Sequence, residues 1–377
     1  MPTLYIHIPF CRKACTYCDF HFVTSLKQKK EMVGAICREL ELRKDFFQEN
    51  QSLQSIYFGG GTPSVLEGEE IAGILEAAGN YFSIESDAEI TLEANPDDLT
   101  LEKLRELRHV GINRLSIGIQ SFAERDLVLM NRSHSAAQAI ACLKNAQAEG
   151  FDNLSADLIF GIPGQSSEEW YQHMQQLAIL KIPHISLYAL TVEEKTALAF
   201  QVKKRLTILP EDEIYEDQFL TAHNYFSEMG YDHYELSNYA LPGFRSRHNS
   251  AYWQQVPYLG LGPSAHSFDG IRRMWNVSHN QQYLSAIQSD QVAISETETL
   301  TLRDRYHEYM MTHLRKREGI DLTYIREQFF PDWEERFSAE IHALLEAGKM
   351  VKAGNSYSLT PESWLLSDQI IRDFFLD

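Results

Sequence analysis

Over residues 1–190 the chain alternates strand-like and helix-like runs, and few folds accept that rhythm. The strand-like runs fall at 4–8, 55–58, 89–93, 114–119, 154–160 and 184–190. Helical patterns rich in Leu, Ala, Glu and Lys lie between them, at 28–47, 67–80, 101–109, 135–148 and 167–180. Ser166 and Glu169 have the spacing of a capping box. Gly111 and Gly150 directly follow helical runs, where a left-handed residue is wanted. Such alternation implies parallel βαβ units. Six repeats predict a barrel, or part of one, with its chemistry at the carboxyl ends of the strands.

Close behind the first predicted strand stand Cys11, Cys15 and Cys18, at spacings of four and three. A short loop of that spacing can wrap one face of a cubane iron–sulfur cluster, each thiolate taking one iron. Three thiolates for four irons leave one iron without a protein ligand. An open coordination position is what separates a catalytic metal centre from a closed structural one. Phe20 stands where a fourth ligand would be and cannot ligate. A zinc knuckle is the competing reading, with His7 and His21 nearby. Zinc, however, favours cysteines in close pairs, and no second pair exists here.

Composition narrows the class. With 377 residues there is material for two or three domains. A net charge of −19 argues against binding nucleic acid, whose phosphates need a basic face. No basic and apolar leader reads as a secretory signal, and no apolar run approaches the roughly 20 residues of a membrane span. The cysteines are odd in number and scattered, which does not suggest a disulfide framework and fits a reducing cytoplasm. Cys37 and Cys142 fall in helical patterns and read as small buried hydrophobes.

Further polar and glycine-rich motifs follow the strands. Gly59-Gly60-Gly61-Thr62-Pro63 follows the second, and three glycines let backbone approach a ligand closely or make a tight turn. The third strand ends at Glu93, which faces the barrel mouth or solvent. Gln120 closes the fourth, Arg132 follows it, and Asp157 lies on the fifth, each a site residue or a plain turn or cap. Residues 191–210 lose periodicity and read as a connector, 211–230 as a helix, and 231–239 as a strand. Then comes His248-Asn-Ser-Ala-Tyr252-Trp253, followed by Tyr258 and Gly260-Leu-Gly-Pro-Ser264-Ala-His266. A neutral imidazole is a good iron ligand, and Tyr252 and Trp253 offer flat apolar surface to a macrocycle. A histidine bonded to a loop carbonyl beside core aromatics is the alternative. The tail, 296–377, reads as three helices, a hairpin around Gly354-Asn355 and a last helix, an order resembling a winged helix.

The run Tyr5-Ile-His-Ile-Pro-Phe with Cys-x3-Cys-x-Tyr-Cys resembles the radical S-adenosylmethionine (SAM) superfamily. Within it the chain resembles the oxygen-independent coproporphyrinogen III oxidase family, closest to its heme chaperone branch. The resemblance implies an α/β fold: a partial (β/α)6 TIM-like barrel over 1–195, an accessory α+β region over 196–295, and a winged-helix-like domain over 296–377. It implies a [4Fe–4S] cluster on Cys11, Cys15 and Cys18, whose open iron chelates SAM for reductive cleavage to a deoxyadenosyl radical. It assigns SAM contacts to Tyr5, Tyr17, Gly60, Gly61, Thr62, Glu93, Gln120, Arg132, Asp157 and Ala189. It ties His248 to heme. Three features favour the chaperone branch over the oxidase: Phe20 in place of a cysteine, a first strand beginning at Thr3 with no substrate-binding extension before it, and the string at 248–253. The expected partners are heme-accepting proteins and an electron donor, the expected location cytoplasmic, with peripheral contact to membrane heme proteins, as a monomer or homodimer.

Overall fold

The computed structural model describes residues 1–47 and 51–376, so Asp377 of the expected tail domain lies outside it. Six parallel strands form the centre: β1 Thr3–Ile8, β2 Ser52–Gly60, β3 Ser83–Ala94, β4 Arg114–Gln120, β5 Asn153–Phe160 and β6 His184–Ala189. Helices Lys29–Leu42, Gly68–Tyr81, Leu101–His109, Ala136–Ala148 and Ser167–Ile179 cross between them. Ser166 and Glu169 form the expected capping box, and Gly111 and Gly150 take the left-handed conformation.

Period-2 alternation explains the wall. One set of side chains is apolar: Leu4, Ile6 and Ile8 on β1, Ile56 and Phe58 on β2, Leu115, Ile117 and Ile119 on β4. These pack with Ile36, Leu40, Ile74 and Leu143 of the helices in the principal core. The alternate set is polar and joined across strands. Tyr57 donates to Glu93 at 2.7 Å, Ser116 to Asp157 at 3.2 Å, and Ser155 meets His184 at 2.8 Å. The wall is therefore stabilised on its outer face, where burying each apolar side chain contributes about 1.5–3 kcal/mol.

The chain directly following the barrel, through residue 299, does not build a sheet of its own. Strands β7 Asp232–Glu235, β8 Asn238–Ala240, β9 Tyr258–Leu261, β10 His266–Phe268, β11 Arg272–Asn276 and β12 Ile294–Thr299 extend the barrel sheet at both edges. β8 pairs antiparallel with β6, and β9 pairs parallel with β1. The run expected as one strand at 231–239 is a tight hairpin of β7 and β8. The connector at 191–210 contains the short helix Ala197–Lys203, capped by Thr196. The string at 248–253 is also helical, Arg247–Trp253, with Ser246 as its N-cap.

The tail carries helices Leu302–His313, Leu322–Gln328, Trp333–Arg336 and Ser338–Glu346. A hairpin of β14 Met350–Ala353 and β15 Ser356–Leu359 follows, turning through Gly354 at φ 59°. A two-residue strand, β13 Ile320–Asp321, completes that small sheet. No helix among the described residues is long and apolar enough to cross a membrane.

Candidate functional site

Loops at the carboxyl ends of the barrel strands grip the cysteine loop from several sides. The Cys11 amide donates to Val23 O at 3.0 Å, and the Thr62 amide to Phe10 O at 2.7 Å. Thr16 donates through its amide to Met130 O and through its hydroxyl to Leu129 O, both at 3.1 Å. Asn131, left-handed at φ 57°, donates to Ala14 O at 2.7 Å. Arg12 is paired with Asp98 at 2.6 Å. Tyr17 packs on a small apolar cluster of Leu127, Met130, Ile159 and Leu198.

The thiols have polar company. Thr62 Oγ1 donates to Cys11 Sγ and Arg132 Nη1 to Cys15 Sγ, each at 3.3 Å. The other Arg132 nitrogen, Nη2, donates to Asn95 Oδ1 at 2.6 Å and Gly118 O at 2.8 Å. Its Nε is buried without a partner. Gln120 ends β4 at φ 65°, beside a bulge, with its amide reaching back over Gly118. Burial pushes the Cys11 and Cys18 thiols up to about 11, so a metal entering here must displace their protons.

The glycine loop is as much a packing device as a ligand cradle. A side chain at Gly59 would meet the Tyr5 and Tyr57 rings at 2.9 Å, and one at Gly60 the His7 ring at 2.7 Å. Gly61 lies 2.7 Å, measured from an added Cβ, from the carbonyl of Phe10. Gly60 also has φ 108°, which only glycine adopts freely. His7 is locked by its two bonds: Tyr5 Oη at Nδ1, 3.2 Å, and His21 O at Nε2, 3.0 Å. Burial holds it down at about 4, so it stays neutral.

Beside this loop a cavity of about 440 Å³ opens, within the roughly 300–1,000 Å³ range of small-molecule sites. Tyr5, Gly60 and Glu93 of the expected SAM set line it, together with Tyr252, Tyr258 and His266 from the flank. Burial, then the facing Asp157 charge, pushes the Glu93 carboxyl up to about 7, against the opposing bond from Tyr57. The other expected residues lie apart from the cavity. Thr62 and Arg132 serve the thiols, and Ala189 is exposed at the end of β6. Asp157 is enclosed in the wall by Ser116 and Ser155.

His248 sits behind Tyr252, 1% exposed. Its Nδ1 is 2.9 Å from Ser55 Oγ, its ring stacks on Tyr57 at 4.8 Å, and its Nε2 has no partner. Burial, then Arg114, lowers it to about 3, leaving a neutral ring.

The pattern described as Radical SAM superfamily matches residues 5–177, and that of the HemN C-terminal domain matches 300–366. The heme chaperone HemW of Mycobacterium tuberculosis is 33% identical over 373 residues, 98% of this chain and 93% of that one. That of Bacillus subtilis is 32% identical over 378 residues, 99% of each. The chain belongs to the HemW family of radical SAM proteins. The solved coproporphyrinogen III oxidase HemN of Escherichia coli, a radical SAM enzyme, superposes with a TM-score of 0.84 at 25% identity, covering 99% of this chain and 90% of that one.

Membership in the HemW family implies a [4Fe–4S] cluster and SAM, and the residues present fit both. Among the described residues no three Cys, His, Asp or Glu side chains converge to hold a single ion, as a zinc knuckle would require. The thiols lie instead around a loop with a buried guanidinium beside them, suited to a larger anionic group. Arg132 Nε, buried and unpaired, is an orphaned donor that an anionic ligand would satisfy.

Tyr57 was not singled out from sequence, yet it holds Glu93. The signal was its place on the inward period of β2, two residues before Gly59. His21 lines the cavity and bonds Asn280 Oδ1 at 2.7 Å, a link across 259 positions that local pattern does not reveal.

Proposed function

We propose that this protein binds heme and passes it to heme-dependent acceptor proteins. Cys11, Cys15 and Cys18 hold a [4Fe–4S] cluster, with SAM seated beside it. The observation that carries this reading is the full-length likeness to heme chaperones, at about a third identity over nearly the whole chain. Phe20, where the oxidase pattern has a further cysteine, supports it.

When bound, the cluster and SAM supply one-electron chemistry. The chain's own residues hold and orient. Glu93 and the loop Gly60-Gly61-Thr62 would hold the amino group of SAM, with Tyr5 and Tyr17 beside them. Gln120, Arg132, Asp157 and Ala189, which stand apart from the cavity, would serve the far side of the SAM site. Burial raises the Glu93 carboxyl to about 7, and a cationic partner beside it would favour the carboxylate. His248 serves the heme site. The protein works in the cytoplasm with an electron donor, as a monomer or homodimer, and meets membrane heme proteins from the side.

The test is to give anaerobically reconstituted protein heme in one sample, and coproporphyrinogen III, SAM and reductant in another. The expected result is a Soret shift in the first and no decarboxylation in the second. Protoporphyrinogen IX and carbon dioxide in the second would replace the chaperone with the oxidase.

A further inference from the structure

We propose that the exposed side of the segment 195–208 is where an acidic one-electron carrier protein docks to reduce the cluster. The proposal rests on the cluster reading above and names the chemistry of the electron donor.

The segment is built against the cysteine loop. Helix Ala197–Lys203 follows its Thr196 cap, and the Leu198 amide donates to Thr16 O at 2.8 Å. Thr16 stands between Cys15 and Cys18, so this helix touches the loop that carries the thiols. Leu198 is buried with Leu127, Met130 and Ile159, the apolar cluster on which Tyr17 also packs.

The other side faces solvent. Phe200 is 59% exposed, Leu206 73% and Ile208 80%. Lys195, Lys203, Lys204 and Arg205 are exposed around them. None of these four pairs with the carboxylate of a described residue; Lys204 Nζ instead lies over the Phe200 ring at 5.8 Å.

Charge sets the chemistry of the partner. The chain carries a net −19, yet no acidic residue occurs from Lys195 to Pro210. Glu193 and Glu194 bound the stretch on one side, and Glu211, Asp212 and Glu213 on the other. An acidic protein is repelled by most of this surface and attracted at the basic stretch, which steers it into one orientation. Apolar side chains inside a charged border supply the contact. Electron-transfer encounters need little of it, below about 1,200 Å².

A lipid surface is the poorer fit. A helix lying on a membrane needs a broad apolar face. This one turns Leu198 inward and shows one large apolar side chain, Phe200, within its seven residues. Position favours the carrier. Seated here, it is separated from the cysteine loop by one helix, about 10 Å across. One electron then leaves the carrier, which is oxidised, and enters the cluster, which is reduced; no bond forms or breaks.

The test uses full-length protein, anaerobically reconstituted, with a strongly acidic flavodoxin as carrier. The arms are wild type, a triple variant combining Lys203→Glu, Lys204→Glu and Arg205→Glu, and Lys349→Glu on the tail as control. Carbodiimide coupling to oxidised flavodoxin, mapped by mass spectrometry, should join its carboxylates to Lys203 or Lys204 of wild type. Stopped-flow bleaching of the cluster by reduced flavodoxin should be at least tenfold slower in the triple variant at low salt and unchanged in Lys349→Glu. Added salt should slow the wild type and leave the triple variant unmoved. Dithionite, a small reductant that needs no docking surface, should reduce all three alike. Equal flavodoxin rates in wild type and triple variant would overturn the proposal. So would cross-links confined to other lysines, wild type that neither couples nor bleaches, or a triple variant slowed as much with dithionite. If wild type alone sediments with phosphatidylglycerol vesicles while both proteins take electrons from flavodoxin equally, the stretch is a membrane contact and the proposal fails. Wild type that assembles no cluster would instead overturn the reading of Cys11, Cys15 and Cys18 on which the proposal rests.

Discussion

Glu93 and Glu235 are the two carboxyls that burial raises to about 7, and of these Glu93 lines the cavity. Its carboxyl moves from 4.5 to about 7 on folding, chiefly by burial. A raised carboxyl binds its proton more tightly in the folded chain than in the unfolded one. It therefore favours the fold below about 4.5 and loses that contribution as pH rises to about 7. In the ligand-free protein, Glu93→Gln should lessen the pH dependence between those values, with Glu235 supplying the remainder, and stabilise the chain at pH 8 by up to about 3 kcal/mol. Thermal melts of both proteins at pH 5 and pH 8 check this; equal differences at the two values would refute it. The same variant should weaken SAM binding in calorimetry. The three cysteines make a second expectation at this scale. Ala at Cys11, Cys15 or Cys18 should abolish the cluster, whereas Cys37→Ala and Cys142→Ala should keep it, as iron and sulfide assays will report. Spacing made the cysteines legible because their chemistry is local. The glycines were legible as a feature, but their reason was not: Tyr5 and His7, some fifty positions away, occupy the space that side chains would need.

The helix Arg247–Trp253 shows what happens at the scale of an element. Glu89 of β3 accepts from the Ser246 hydroxyl at 3.3 Å and from the amides of Arg247 and His248 at 3.1 Å each. A carboxylate at a helix amino end satisfies orphaned donors and complements the helix dipole. Arg114 lies 3.9 Å away with both charges buried. Glu89→Ala should cost about 3–5 kcal/mol, because it leaves Arg114 buried without its carboxylate. A denaturant melt measures this, and a loss below 1 kcal/mol would mean that solvent reaches the pair. The helix at Arg247–Trp253 was not legible in sequence, since seven residues are too few to show helical periodicity. The barrel strands and the Ser166 cap were legible because alternation and capping chemistry are written in adjacent residues. The β7–β8 hairpin was not: its turn, at Leu236-Ser237, has none of the usual glycine or asparagine signals.

At the scale of the whole molecule, a single sheet ties the cavity's walls together. Glu39, on the helix Lys29–Leu42, reaches the flank and accepts from the Gly262 amide at 2.9 Å, Asn276 at 2.8 Å and Tyr283 at 2.7 Å. Its carboxylate also lies 3.5 Å from Arg43. Glu39→Ala leaves those buried donors unmet. It should raise amide exchange across 258–276 and lower heme retention while the cluster stays intact; unchanged exchange there would remove the clamp from the account. This organisation was beyond sequence reading. Pairing of β1 with β9 joins positions some 255 apart, and only the assembled barrel edge selects it. The division of the wall has a further consequence for how such proteins diversify. Its outer face carries the apolar core, and its inner face carries polar side chains, among them Tyr57, Glu93, Asp157 and His184, that bond one another across strands. Inward positions can thus be re-specified for a new ligand as a bonded set without emptying the apolar core, while outward positions answer to packing. Lineages sharing this barrel can exchange one chemistry for another without passing through an unfolded ancestor.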